Sequence, residues 1–246
     1  MGMTVTVEVS DTLAHEGPTN SSVNLVFDYL KYVDDKFSTY KETSEITAIN
    51  EGKLKESEYS DDMKLIFTLS EETKKMSKGI FDIMRPDGKY DPSGLVKGWA
   101  IYNSAQILKK NGHRDFYVDA GGDIQTYGKN SKGENWKVGI RDPFNHDKNK
   151  IVKIVSGDDL AMATSGTYLR GQHIYNPLTK KNEIADIISI SVIGPNIYEA
   201  DRFATAAFAM GKEGIMFIES LVGFEGYMID EKDIGTETSG FKKYVV

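Results

Sequence analysis

Residues 95–127, LVKGWAIYNSAQILKKNGHRDFYVDAGGDIQTY, contain the change of hydrophobic period that decides the fold class. A helix is predicted over 95–110, stopped by Asn111-Gly112. From Phe116 to Ala120 the pattern is strand-like, Gly121-Gly122-Asp123 makes a turn, and Ile124 to Tyr127 resumes as strand. Working outward, two earlier helices are predicted. One covers 21–37, with apolar Leu25, Tyr29, Leu30 and Val33; the other covers 61–77, with Leu65, Ile66, Leu69 and Met76 near one face. A later helix is predicted over 199–210. Strands are expected at 1–9, 136–140, 151–154, 184–193 and 226–229, the fourth ending at Gly194-Pro195. Helices and strands intermingle without regular βαβ alternation, which favours an α+β fold over a doubly wound sheet. No repeat, low-complexity tract or linker divides residues 1–246, so a single domain is expected.

A chain of 246 residues easily encloses a core, and 39% hydrophobic with 27% charged residues is an ordinary globular composition. The formal net charge of -7 argues against nucleic acid or an anionic membrane as partner. A phosphorylated ligand would therefore have to be held locally, by a metal, helix ends or a few cations. With no cysteine, disulfides, thiolate nucleophiles, iron–sulfur clusters and cysteine-ligated zinc are excluded. The first residues alternate as a strand does and lack the pattern of a signal peptide. No segment approaches the roughly 20 apolar residues that span a bilayer. A cytoplasmic protein is the expectation, or an exported or lipid-anchored one if a signal has been removed ahead of Met1.

Four stretches are able to carry chemistry. Asp91-Pro92-Ser93-Gly94-Leu95-Val96-Lys97-Gly98 leads into a helix, where unpaired N–H groups and Lys97 suit a phosphate. The commoner use of such a stretch is a plain serine cap beside a solvated lysine, and its spacing is not that of a P-loop. Val118 to Asp123 holds a glycine pair that allows close approach of a ligand but more simply makes a hairpin turn. Ala163-Thr164-Ser165-Gly166-Thr167-Tyr168, followed by Arg170, His173 and Asn176-Pro177, clusters hydroxyls near one of only four histidines. Histidine is well placed to move protons near neutral pH, although a lone histidine is more often structural. Lastly, Asp201 and Thr205 are four apart on a predicted helix and share a face. Carboxylate and hydroxyl are hard ligands suited to magnesium; the plain alternative is an amphipathic helix with one satisfied acid. Taken together, the four stretches favour metal-assisted phosphoryl chemistry.

In order and wording these stretches resemble the FAD:protein FMN transferases, the ApbE type formerly called thiamine biosynthesis lipoproteins. The resemblance also includes Met1 to Val7, Phe37-Ser38-Thr39-Tyr40 with Ser44-Glu45-Ile46 and Asn50, and Gly79-Ile80-Phe81-Asp82-Ile83, and it extends to Gly211. It implies an α+β fold of two similar lobes around an FAD cleft, with Mg2+ at the pyrophosphate. By position, it implies that Asp201 and Thr205 are side-chain metal ligands and that Gly94 supplies a carbonyl. Met1, Tyr40, Phe81, Asp82, Ile83, Asp91, Lys97 and Tyr175 would line the FAD site, and His173 would be the catalytic base.

The activity implied is transfer of FMN from FAD to a Thr or Ser hydroxyl of an acceptor protein, with release of AMP. Its rivals are an FAD pyrophosphatase, in which water takes the place of the hydroxyl, and a non-catalytic FAD-binding protein; self-flavinylation at Ser165-Gly166-Thr167 is a weaker reading. The sequence departs from the family pattern in three places. It shows no lipobox cysteine, it has a short bridge over 83–90 expected to open one side of the flavin cleft, and it has Ala204 where some members place a second acid.

Overall fold

The computed structural model describes residues 2–10, 16–145, 150–167, 176–177 and 184–246. Its centre is a seven-stranded sheet in the order β1-β2-β3-β6-β7-β8-β9. These strands are β1 (Val5–Val9), β2 (Phe116–Ala120), β3 (Asp123–Tyr127), β6 (Ala161–Gly166), β7 (Ile187–Gly194), β8 (Glu225–Asp230) and β9 (Gly235–Glu237). Every neighbouring pair is antiparallel. The remaining two strands, β4 (Lys137–Arg141) and β5 (Ile151–Ser156), form a separate hairpin. A wholly antiparallel main sheet with segregated helices is the α+β architecture expected from the mixed periodicity.

Alternation along the strands divides the packing into two cores. Ala161, Ala163, Val118, Ala120 and Val192 point to one face and join the large core beneath the helices. Met162, Ile124 and Ile193 point to the other and pack with Val138, Ile140 and Val155 of the β4–β5 hairpin. The helical layer contains α1 (Glu16–Phe37), α2 (Glu45–Asn50), α3 (Asp61–Met76), α4 (Ser93–Lys110), α5 (Ile197–Ala209) and α6 (Gly214–Glu219). No helix among the described residues is long and apolar enough to cross a membrane.

The caps explain where several helices begin. Ser44 accepts the Thr47 N–H at 3.2 Å, Ser60 the Met63 N–H at 3.3 Å, and Asn196 the Glu199 N–H at 3.0 Å. The last of these starts α5 two residues before the predicted Glu199. Helix α1 begins at Glu16 rather than the expected Ser21. Gly17 and Pro18 then fall in the first turn, where a missing N–H costs little because that turn has no intrahelical acceptor.

Helices α2 and α6 and strands β6 and β9 escaped the sequence reading. Helix α2 is only six residues, too short to show a period. The hydroxyl-rich run Ala161–Gly166 is a strand at the middle of the sheet, held between β3 and β7 despite its weak strand propensity.

Helices α4 and α5 run antiparallel at unusually close range. A Cβ added to Gly98 would lie 2.6 Å from the Cβ of Asp201 and 2.8 Å from the Ile197 carbonyl oxygen, while one on Gly94 would lie 3.0 Å from Thr205 Cγ2. Only glycine fits at Gly98. Gly98→Ala is accordingly expected to lose about 1–3 kcal/mol by forcing the helices apart. Urea denaturation checks this, and an unchanged midpoint would contradict so close a crossing.

Candidate functional site

The α4–α5 crossing brings the separated sequence candidates together. Asp201, 1% exposed, accepts the Gly98 N–H at 2.7 Å, so one carboxylate oxygen is fixed by the facing helix. Lys97, one residue earlier on α4, lies 3.4 Å from the other oxygen of Asp201 and 2.5 Å from Asp123. Asp123 is also 1% exposed and accepts the Thr164 N–H at 3.0 Å. Two buried carboxylates thus share one ammonium. Burial pushes the Asp201 carboxyl up to about 7; Lys97 opposes the rise and Asp123 adds to it.

One helical turn away, Gly94 packs closely against Thr205 and Phe81. Its Cβ would lie 3.5 Å from Thr205 Oγ1 and 3.4 Å from Phe81 Cε2. The Asp201 carboxylate, the Thr205 hydroxyl and the Gly94 backbone are the oxygens available here to a hard cation. No cluster of three or more His, Asp or Glu suited to a metal occurs among the described residues. A cation at this crossing would therefore take part of its coordination from backbone, water or a ligand.

The other expected residues are placed as follows. Phe81 is buried, and its N–H donates to Ser77 Oγ at 2.9 Å. Asp82 pairs with Lys74 at 2.7 Å and accepts the Met84 N–H. The Ile83 side chain is in the core, and its carbonyl accepts the Asp91 N–H at 2.7 Å. Asp91 in turn accepts the Ser93 N–H at 3.1 Å, while Leu95 and Val96 N–H both donate to the Pro92 carbonyl. The open row of N–H groups expected ahead of α4 is thus largely satisfied within the loop. Nor is Lys97 the solvated lysine of the plainer reading, since its side chain is only 18% exposed. Tyr40 stands 96% exposed on the loop between α1 and α2 and is not gathered into the α4–α5 crossing. Met1, His173 and Tyr175 lie outside the described residues.

The short bridge over 83–90 folds back on itself as a tight hairpin. Arg85 N–H donates to the Lys89 carbonyl at 2.8 Å, and Met84 pairs with Tyr90. Asn50 clamps the base by donating to the Tyr90 carbonyl at 2.9 Å and accepting its N–H at 2.7 Å. Ala204 is fully buried on α5, so nothing replaces the second acid at that position.

Two functional features were missed. Asp123 read only as the end of a glycine turn, yet it is half of the carboxylate pair. Gln125, 1% exposed, accepts the Ile197 N–H at 2.9 Å and thereby fixes the start of α5. The available signal was an acid placed directly after Gly121-Gly122, where only one of the two sheet faces leads to the helices.

Comparison with known proteins adds the lineage of this arrangement. A family model described as the ApbE family matches residues 1–87 and 84–228. The FAD:protein FMN transferase of Vibrio cholerae serotype O1 is 30% identical over 167 residues, which is 65% of this chain and 48% of that protein. That of Escherichia coli strain K12 is 27% identical over 172 residues, 65% of this chain and 49% of that protein. The matched region spans about half the length of these curated relatives. Among solved structures, the flavin transferase ApbE from Vibrio cholerae superposes with a TM-score of 0.81 at 22% identity, covering 99% of this chain and 96% of that one. The ApbE protein from Thermotoga maritima gives 0.85 at 20% identity, with coverage of 99% and 96%. These likenesses fix the fold.

The charge arrangement makes its own prediction. Lys97→Met leaves two buried carboxylates without their cation and is expected to cost about 3–5 kcal/mol. Asp123→Asn keeps the acceptor for Thr164 and leaves Lys97 its Asp201 partner, so about 1 kcal/mol is expected. Thermal or urea unfolding of the two variants tests the order; equal losses would contradict a shared ammonium.

Proposed function

Because the chain belongs to the ApbE family, we propose that it transfers FMN from FAD to a Thr or Ser hydroxyl of an acceptor protein, with Mg2+ bound at Asp201, Thr205 and the Gly94 carbonyl. The observation that carries this reading is the α4–α5 crossing, which gathers Gly94, Lys97, Asp201 and Thr205 from distant parts of the chain.

The donor set suits the ion. With Asp201 ionised, the two acids outnumber the one ammonium, and the surplus negative charge attracts a hard cation. Magnesium, when bound, supplies charge neutralisation at the FAD pyrophosphate. Asp123 keeps Lys97 directed along the α4–α5 groove, where its charge favours the negatively charged pyrophosphate. Gly98 N–H holds one Asp201 oxygen in place and so leaves the other on the Lys97 side. Phe81, itself buried, packs against Gly94 beside these groups.

The chemistry requires one base. His173 takes the proton of the acceptor hydroxyl as its oxygen bonds to the FMN-side phosphorus; the bond from that phosphorus to the bridging oxygen breaks, and AMP leaves with both electrons of that bond. Lys97 offsets the charge that gathers on the departing phosphate.

Incubation with FAD, MgCl2 and a Thr-containing peptide tests the reading. Flavin fluorescence on the peptide together with AMP supports transfer, free FMN with AMP shows a pyrophosphatase, and neither product shows a passive FAD binder. Asp201→Ala is expected to lower AMP release about 100-fold or more. Thr205→Ala, which removes the neutral ligand, is expected to lower it about tenfold. Full magnesium-dependent turnover by Asp201→Ala would overturn the metal assignment.

A further inference from the structure

Among the described residues the two sheets present four strand edges, and three of them are shielded. At one end of the main sheet, β9 is only three residues long, and its Glu237 pairs with Lys153 at 3.4 Å and Lys242 at 3.8 Å. In the separate hairpin, the outer side of β5 is covered. Val155 bridges to Val245, and Val246 N–H donates to the Ile154 carbonyl at 3.1 Å. Strand β4 carries exposed Lys137 and Arg141 and a register shift between Ile140 and Arg141. Shortness, cover, charge and bulges are the usual means of keeping an edge from pairing with another chain.

The fourth edge, β1, has none of these devices. Val5-Thr6-Val7-Glu8-Val9 holds no proline, lysine or arginine and pairs with β2 in unbroken register. Gly121 N–H to the Thr4 carbonyl at 3.1 Å and Ser10 N–H to the Asp115 carbonyl at 2.7 Å continue that register. Even-numbered residues therefore spend their backbone groups on β2, and the N–H and C=O of Val5, Val7 and Val9 point out from the edge. Among the described residues, none bonds to these groups. The three valine side chains are half-buried against the large core, whereas Thr6 and Glu8 are exposed on the other face. Apolar surface continues into the helical layer. Helix α4 packs on β2 and β3, and α1 packs on α4, which puts α1 on the β1 side of the sheet. Tyr32 turns one flank of α1 to α3 by donating to Asp62 at 2.8 Å; Phe27, 44% exposed, is on the other flank.

We infer that β1 is a dimerisation strand, pairing antiparallel with β1 of a second copy of this chain about a twofold axis through Val7. In that register the strand is complementary to itself. Val5 lies opposite the second copy's Val9 and Val7 opposite its own counterpart, so each valine pair exchanges two hydrogen bonds and every outward N–H and C=O is used. All the valine side chains fall on the helix side and carry the large core across the axis. On the other face Thr6 lies opposite the second copy's Glu8, hydroxyl to carboxylate, and no two like charges are directly opposed. A stable dimer buries about 1,200–2,000 Å², more than one short strand edge supplies. The twofold axis also sets the two α1 helices side by side on the same face, where Phe27 and its counterpart add apolar area. This pairing is independent of the chemistry at the α4–α5 crossing.

Sedimentation velocity of the full chain over a concentration series is expected to show a monomer–dimer equilibrium. Two substitutions at one exposed position test the register. Thr6→Glu sets a carboxylate directly opposite Glu8 at two symmetric places and is expected to weaken the dimer about tenfold. Thr6→Lys sets an ammonium there and is expected to tighten it. Thr6 also lies opposite Asp119 within the chain, so Val7→Pro serves as a second probe. It removes an outward N–H that β2 does not use, and it should leave a folded monomer. Hydrogen exchange reads the same edge directly. The Val5, Val7 and Val9 amides should gain protection as concentration rises, while those of Thr6 and Glu8 are protected throughout. A chain that stays monomeric at every concentration, or a dimer that neither Thr6→Glu nor Val7→Pro weakens, overturns the inference. So does protection of the valine amides that is independent of concentration, because another segment of the same chain or a different polypeptide then holds the edge.

Discussion

One ammonium shared by two buried carboxylates is the constraint around which the structure is arranged. Lys97 reaches Asp201 only because α4 and α5 approach until no side chain fits at Gly98. It reaches Asp123 only because the β2–β3 turn closes with that acid on the helix side of the sheet. Removing two carboxylates from water is costly, and the compensation comes from fixed donors: Gly98 N–H for one acid and Thr164 N–H for the other. Gln125 extends the same design by accepting the first N–H of α5 from within the sheet. Arg202 completes it on the outer side, donating to Glu199 at 2.8 Å and to Thr73 of α3 at 3.0 Å.

The alternation of β2, β3 and β6 turns this single cluster into a two-sided device. Residues one apart on a strand face different cores, so Asp119 and Asp123, paired off by two exposed glycines, belong to different compartments. A one-residue register slip in this hairpin would exchange the two and bury the wrong acid. The tight turn therefore does more than reverse the chain.

Much of this was legible in sequence. The helix over 95–110 ends where Asn111-Gly112 stops it, and the strand before Gly121-Gly122 shows a clean period because it buries one face. The four-residue spacing of Asp201 and Thr205 placed both on one face, and the structure sets that face against Gly94 and Gly98. Other features left no local trace. The strand Ala161–Gly166 is specified by its neighbours β3 and β7, not by its own small and hydroxyl residues. Asp123 and Lys97 are 26 positions apart, and only the antiparallel turn and the packing of α4 on the sheet make them a pair. The loop before α4 looked rich in free N–H groups because its own acceptors, Asp91 and the Pro92 carbonyl, are invisible to a reading of spacing.

Ala204 shows how the charge balance and the helix crossing limit one another. Its position on α5 is fully buried, between Phe203 and Thr205, so an acid there would be a third carboxylate served by a single lysine. With alanine, Asp123, Asp201 and Lys97 sum to one surplus negative charge once Asp201 is ionised. A divalent cation carries twice that charge, so the side chains alone leave it half neutralised, and the remainder has to come from the anionic oxygens of whatever occupies the groove. Metal and phosphorylated ligand are then each the better bound for the presence of the other. On the proposed reading, the small hard-ligand count is thus the count appropriate to an ion that arrives with its substrate.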